Sequence, residues 1–445
     1  MPIHFLFMVQ ESNTKLLAED LPLPVRCFYE NQQGESALRM ATTIASIICF
    51  QAQAPRLRVR YPFDNKDNML LCNLLVIGHT GSGKSQVMDA VKLLTQDMRE
   101  QDQRQRRLLQ QAQEANKRKS SQQNKDEEPL VSIRMLQHFT LPIVCKYSDQ
   151  QQRKYGEQLG FLLTADELGT LCETKRSKLD LQAVARTAYS LGEEFVKDTL
   201  YVDGYNAIVD IVWNSILLGQ EAALNDYITK KGLLCGDGAR QILIKVGNEL
   251  APKAPVFNQL SAEQQQAVDE AIQKLKQNTF TDDGKLQPTY LINMQWLHKD
   301  IEDWCEEQRY IITKSGSRSL EAFHVRASVS AFRLCAMLYY LWDEQPEHQE
   351  QVRKCYLYFA QKILDSQMEQ WGQDYEAALP KPKEKQDKPR IYDVMPESFT
   401  KEHLKEKIVE LELKTEARQF LYKWRRSNWI YYEEETKLFH KMYEV

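Results

Sequence analysis

The chain has 445 residues, of which 42% are hydrophobic and 10% aromatic, with a net charge of −4. That length suits two or three domains with a sizeable buried core, while the small charge says little about partners, because a nucleic-acid channel can be locally basic in an acidic protein. The nine cysteines lie far apart with no C-x-x-C pair, which argues against a zinc ribbon and against a secreted disulfide framework. The apolar N-terminus is too short and uncharged for a signal peptide, and no apolar run approaches the roughly 18 residues of a membrane span. These features predict a soluble cytoplasmic protein with no membrane partner.

In chain order, residues 1–66 read as a lead-in module. Leu21, Pro22, Leu23 and Pro24 suggest extended chain, and Ala37, Met40, Ala41, Ile44 and Ile47 form the apolar stripe of one helix. Residues 56–61 alternate charged and apolar side chains as an edge strand does, and 63–68 read as a loop.

Residues 71–77 are a short apolar run, the pattern of a buried parallel strand, and they feed into Gly78, His79, Thr80, Gly81, Ser82, Gly83, Lys84 and Ser85. This is G-x-x-x-x-G-K-S, the phosphate-binding P-loop. Glycines at these spacings let the backbone turn several N–H groups inward, where a β-carbon would obstruct. Lys84 supplies a compact positive charge to the β- and γ-phosphates of ATP, and the Ser85 hydroxyl is placed to ligate Mg²⁺. Val87, Ala90, Val91 and Leu94 then fall at helical spacing, so a helix starts near Gly83 with its N-terminal dipole toward the phosphates.

Residues 67–250 therefore read as an ATPase core, interrupted by a charged insertion over 99–128. Its apolar side chains are almost confined to Leu108 and Leu109, which predicts a solvated helical extension with no face to bury. Strand character resumes at 131–136, a polar helix is expected over 148–159, and 208–219 is a third long apolar stretch before Gln220. Residues 241–246 give a further strand. Strands separated by helices point to an α/β fold with a parallel central sheet.

Phe161, Leu162, Leu163, Thr164 and Ala165 run into Asp166 and Glu167. Acids at a strand end after a P-loop supply the second half of an ATPase site: Asp166 holds the hydration shell of Mg²⁺, and Glu167 orients or deprotonates the attacking water. The plain alternative is an acidic pair at the start of the next helix. Gln220, at the tip of another strand, is a candidate contact to the γ-phosphate or the water. Arg240, presented by a glycine-bracketed turn after Gly232, is either an arginine finger or an arginine paired with a nearby acid. Arg326 and Arg333 are read as salt-bridging residues, with a sensor role as the sharper alternative.

From Ser261 onward the pattern is helical. Ser261 and Gln264 form a capping box, and helical periodicity covers 291–307, 322–342 and 352–371, so residues 251–376 read as a helical lid. Three prolines over 379–390 mark a linker, placed within 377–396. Residues 397–445 read as two helices followed by a strand pair, the order of a winged-helix domain. Lys414, Arg418, Lys423, Arg425 and Arg426 make it basic, which suits phosphate contact, against Glu433, Glu434 and Glu435 at the hairpin tip.

Taken together, the P-loop, the Asp166–Glu167 strand end, the stretch from Asn214 through Gly219, the Gly232-to-Arg240 turn and the closing Phe399, Trp424 and Trp429 unit resemble one family. It is the primase-associated, superfamily-three-like helicase ATPases of phages, plasmids and integrative elements, a P-loop domain often left without assigned function. The resemblance implies a DNA helicase or translocase, working on single-stranded DNA as a homo-oligomeric ring in replication or transfer of a mobile element. It implies ATP and Mg²⁺ as cofactors and makes Arg240 the candidate that reaches across subunits. No primase or zinc module is read ahead of the ATPase, so priming is expected either from a separate primase partner or not at all, and Gln220 stands where related chains often carry threonine. Two other readings use the same P-loop: an ATPase switch that docks a protein partner, and a small-molecule kinase, which fits a chain of this length poorly.

Overall fold

The computed structural model describes residues 16–64, 66–118, 128–137, 139–172, 184–189, 194–197, 207–247, 254–379, 391–413, 415–426 and 429–442. The chain divides into two compact units, Met1–Ala378 and Leu379–Val445.

The first unit opens with α1 (Leu23–Asn31). Pro22 is extended, but Leu23 and Pro24 already lie in the first helical turn, so the extended segment expected over Leu21 to Pro24 ends early. Proline's fixed φ and missing N–H suit that position. Next come β1 (Gln32–Gln33) and α2 (Ser36–Gln53), of which every residue from Met40 on is buried. A helix with one apolar stripe belongs on a surface; α2 is enclosed because its polar residues satisfy themselves. Thr42, Thr43 and Ser46 donate their hydroxyls to the carbonyls of Leu38, Arg39 and Thr43 at 2.9, 2.8 and 2.7 Å. The helix packs on the central sheet, so residues 16–61 of the expected lead-in module share the core of the P-loop strand and do not form a module of their own.

After β2 (Leu57–Arg60) and β3 (Asp67–Met69) come β4 (Asn73–Gly78) and the two helices α3 (Ser85–Leu94) and α4 (Gln96–Arg118). Strand β4 reads Leu74, Leu75, Val76, Ile77, all buried, as a strand covered on both faces requires. The charged helix α4 does bury a face, against expectation: Met98, Asp102, Gln105 and Leu109 recur at helical spacing and are enclosed. Asp102 accepts hydrogen bonds from the backbone of Arg134 (3.0 Å) and Met135 (2.7 Å), and Gln105 accepts from Ser132. These polar side chains replace a missing strand partner for residues 132–135, and burial pushes the Asp102 carboxyl up to about 6. Residues 119–127 of the insertion lie outside the described residues.

Strand β5 is short (Met135–Leu136), covering only the end of the stretch expected over 131–136. The helix expected over 148–159 is α5, Leu141–Tyr155. It starts early because Thr140 is extended at its N-cap with Pro142 in the first turn, and stops at Gly156, which is left-handed (φ 76°). Then follow β6 (Phe161–Ala165), the antiparallel pair β7 (Glu194–Lys197) and β8 (Ala207–Asp210), and β9 (Trp213–Gly219). The apolar stretch 208–219 is thus two strands in different sheets, parted at Ile211 and Val212.

Two short helices, α6 (Glu221–Tyr227) and α7 (Lys230–Leu234), lead to β10 (Ile242–Val246) and β11 (Val256–Phe257). Next come α8 (Ala262–Thr279), capped by Ser261 and Gln264 as read, then β12 (Tyr290–Leu291), α9 (His298–Ser315), α10 (Arg318–Leu341) and α11 (Gln349–Ala378). Strand β2 lies between β12 and β3, so it is central in its small sheet and not an edge.

The central sheet has five strands, all parallel, in the order β10-β4-β9-β6-β5. The α/β class and parallel sheet expected from the sequence are present. Among the described residues no helix is long and apolar enough to cross a membrane.

The second unit comprises α12 (Ile391–Val394), β13 (Ser398–Phe399), α13 (Lys401–Glu410), α14 (Ala417–Arg426), β14 (Ile430–Glu433) and β15 (Leu438–Lys441). The strands form an antiparallel sheet in the order β13-β15-β14, and Phe399, Leu404, Leu421, Trp424 and Ile430 fill its core. The linker core, residues 380–390, lies outside the described residues.

Candidate phosphate-binding site

In a parallel sheet the loops that follow the strands all leave from one edge, which is where ligands of open α/β sheets bind. Register fixes what meets there. Ile77 pairs with Gly219, Gly78 with Val246, and Ala165 with Leu217. The P-loop after β4, Gln220 after β9, and Asp166 and Glu167 after β6 therefore emerge side by side, with the β9 tip between the other two.

The loop itself requires its glycines for different reasons. A β-carbon on Gly78 would lie 2.6 Å from both Ser82 Oγ and the Val246 carbonyl. Gly81 and Gly83 have φ of 87° and 81°, the left-handed region. Gly83 is also pressed upon: its β-carbon would meet the Pro255 ring at 2.6 Å. The Ser82 amide donates to the His79 carbonyl (3.2 Å), closing the turn, while among the described residues no backbone hydrogen bond engages the amides of Gly81, Gly83 and Lys84. Those amides, with the open N-terminus of α3, form a nest of donors. Lys84 Nζ rests on the His79 carbonyl at 3.3 Å, and His79 spans from the Thr80 carbonyl to that of Gly247. The buried Ser82 hydroxyl has no hydrogen-bond partner among the described residues. Ser85 is exposed in the first turn of α3.

A feature the sequence did not signal braces this loop. Gln32, fully buried, donates to the Gln86 side chain (2.8 Å) and the Val256 carbonyl (3.4 Å) and accepts from Thr42 Oγ1 (3.1 Å). Gln86 in turn donates to the Pro255 carbonyl at 2.5 Å. Strand β1 pairs with β11, so residues 255–257 are strapped beside the P-loop helix. A glutamine pair gives no periodic pattern to find.

Across the edge, Asp166 is exposed and Glu167 half-buried, just before a tight turn over Leu168–Cys172. The acidic pair does precede a helical turn, as the plain alternative has it, and it also stands at the sheet edge beside the P-loop strand's neighbour. Gly219 makes the approach possible, because a β-carbon there would fall 2.6 Å from Leu168 Cβ. Gly219→Ala is expected to cost about 1–3 kcal/mol by overpacking and to slow ATP turnover while leaving nucleotide binding in place, since Leu168 directly follows Glu167. Thermal melts and turnover on the same preparation check both. Gln220 is exposed, with extended backbone at the N-cap of α6. Asn214 is structural, accepting from the Cys72 amide at 2.8 Å.

Arg240 is not at this edge. It ends the turn Gly238–Arg240 that enters β10 from the opposite end of the sheet. Five residues of strand separate it from the P-loop edge, about 16 Å at some 3.3 Å per residue, too far for its side chain to reach the P-loop of its own chain. Its Nη1 donates to the Gly236 carbonyl at 2.9 Å, and the ion pair in that turn belongs to Arg186 and Asp237 at 2.7 Å. Arg333, read as a salt-bridging residue, instead donates to the carbonyls of Leu71 (2.9 Å) and Tyr189 (3.1 Å) and is buried. Arg326 forms no ion pair among the described residues and lies over the Tyr189 ring, 5.6 Å from its centre.

No family model matches the chain, and no curated protein matches it in sequence.

Proposed function

We propose that the chain binds ATP with Mg²⁺ at residues 78–85 and hydrolyses it, and that turnover drives movement along single-stranded DNA in replication or transfer of a mobile genetic element. The observation that carries the ATPase part is the strand order, which brings Lys84, Ser85, Gln220, Asp166 and Glu167 to one sheet edge. The residues fit a nucleotide: a cradle that admits no β-carbon at Gly78, unengaged amides, and one lysine. Among the described residues no group of three or more His, Cys, Asp or Glu side chains gathers to hold a metal. Mg²⁺ suits such a site, since it keeps several waters and leans on substrate phosphates plus one or two protein oxygens, here Ser85 and Asp166. When bound, it neutralises charge developing on the phosphates. Glu167 takes the proton of the attacking water, and Gln220 orients that water from the neighbouring strand tip.

Arg240 acts on a neighbour's nucleotide, which accords with its place at the far edge of its own sheet and with a homo-oligomeric ring. Helices α8 to α11 serve as the lid. The DNA assignment rests on the second unit, read as a winged helix: Arg418, Lys423, Arg425 and Arg426 are exposed on α14 beside Tyr422, itself 68% exposed. Guanidinium groups next to exposed aromatic rings suit a single strand, phosphates to the one and bases to the other. A separate primase would supply priming.

The deciding measurement is ATP turnover with and without single-stranded DNA. A severalfold rise is expected. If the protein neither binds DNA nor turns over faster with it, the motor assignment fails. The chain then fits an ATPase switch docking a protein partner, favoured by Glu434 and Glu435 at the exposed hairpin tip, and its mass in solution should change on ATP binding.

A further inference from the structure

Hydrolysis as described gives no task to the ring of His79, yet the ring is held from both sides. Its Nδ1 lies 2.8 Å from the Thr80 carbonyl and its Nε2 3.1 Å from the Gly247 carbonyl. Both of these neighbours can only accept. A neutral imidazole carries one N–H and one lone pair, so it serves one carbonyl and turns a lone pair toward the other; the imidazolium alone donates to both. Histidine is also the side chain that gains or loses charge near neutral pH, and this one is exposed, open to exchange protons with solvent.

The far partner is shaped to receive the ring. Gly247 directly follows β10 with φ of 86°, and a β-carbon there would meet His79 Nε2 and Ser82 Cβ at 2.7 Å each. Its amide donates to Glu35, the buried residue at the N-cap of α2. Residue 247 is thus gripped through its amide by a carboxylate and through its carbonyl by the ring. On the loop side, the carbonyl of the same histidine seats Lys84 Nζ at 3.3 Å. The charged side chains on the segments so joined are Lys84, Glu35 and Lys245 of β10, the last turned to Glu221 and Glu369 at 3.8 and 3.7 Å. Among the described residues the ring's two bonds go to carbonyls and not to any of these.

We propose that His79 is a positioning residue whose imidazolium pins the P-loop to Gly247 and holds the carbonyl on which Lys84 rests, and that nucleotide binding takes up the proton that completes this clamp, a role that rests on the nucleotide-binding function proposed above. Phosphates in the loop bring negative charge to the ring, which favours its charged form. The coupling is reciprocal: a ligand that draws a proton onto the chain is itself bound more tightly as the pH falls. Loss of the proton releases one of the two carbonyls, and residue 79 slackens together with the seat of Lys84.

The test titrates ADP with excess Mg²⁺ into the full chain between about pH 6 and about pH 8, the range in which histidine changes charge. ADP is held without turnover, and the metal keeps its phosphates ionised throughout. Affinity should fall at least about fivefold across that range, inside the limit of about tenfold per pH unit that one linked proton sets. Calorimetry in buffers of different ionisation heat should show proton uptake. His79→Gln keeps a donor for one carbonyl but cannot gain charge, so its affinity should change by less than about twofold over the same range and its uptake should vanish. Equal pH dependence in the two chains overturns the proposal, and so does absence of uptake by the parent, which is measured whether or not the variant folds. Melting curves form a second arm that needs no nucleotide. The parent should melt above His79→Gln at the acid end and the two should converge as the pH rises, because the second ring bond exists only in the charged form. A gap of the same size at both ends marks an ordinary hydrogen bond and overturns the clamp. If neither chain binds ADP at any pH, the P-loop function fails and takes the nucleotide role of His79 with it, while the melting gap still upholds or overturns the clamp itself.

Discussion

Lys84→Ala is expected to lower ATP turnover by at least about a hundredfold, the cost of removing one preorganised positive group from the charge that develops on the transferring phosphate. The lysine sits on the His79 carbonyl at 3.3 Å, inside a loop whose turn is already closed by the Ser82 amide, so it is held in place before any nucleotide arrives. Its loss removes a charge without disturbing the backbone, and the amides of Gly81 and Gly83 remain. Nucleotide binding should therefore weaken but persist, while turnover falls further. A fluorescent-nucleotide titration beside a phosphate-release assay separates the two. Unchanged turnover would mean that hydrolysis takes place elsewhere on the chain.

Glu167→Gln is expected to show the complementary split: affinity for ATP within about twofold of the parent and hydrolysis reduced by roughly a hundred- to ten-thousandfold, the range for removing a general base. The amide keeps the shape of the carboxylate and can still orient a water, but it cannot accept a proton. Glu167 stands one strand away from β4, with the tip of β9 between them, so it lies too far from the loop to hold phosphate itself. An equal loss of binding and turnover would place the catalytic acid at another position, with Asp166 the next to examine.

What the sequence disclosed, and what it hid, follows from the range of the interactions involved. Strand β4 and its loop were legible because four consecutive apolar residues and three glycines within six positions state a local geometry, and β6 was legible for the same reason. The order β10-β4-β9-β6-β5 was not, because strand pairing is decided between residues distant in the chain, as where Leu74 of β4 meets Ile216 and Ile242. Helix α4 was misjudged on composition: Asp102 and Gln105 look like surface residues until one sees that they accept the amides of Ser132, Arg134 and Met135, and burial of a polar group depends on the partner it finds. The edge assigned to β2 failed because its other neighbour, β12, arrives from residue 290. Arg240 was noticed for its turn, but nothing local placed it at the end of the sheet away from the P-loop or put Arg186 and Arg326 beside it.

The buried glutamine beside the P-loop has a mechanical consequence. One side chain, Gln32, joins α2 through Thr42, helix α3 through Gln86, and the strap through Val256, and Gln86 repeats the tie at Pro255. Gln32 is fully buried, so a shift of one segment against the other two breaks a hydrogen bond inside the core. They form a single lever: displacement at the loop of residues 78–85 is passed through two amide groups to residues 255–257, which lead along the backbone into α8.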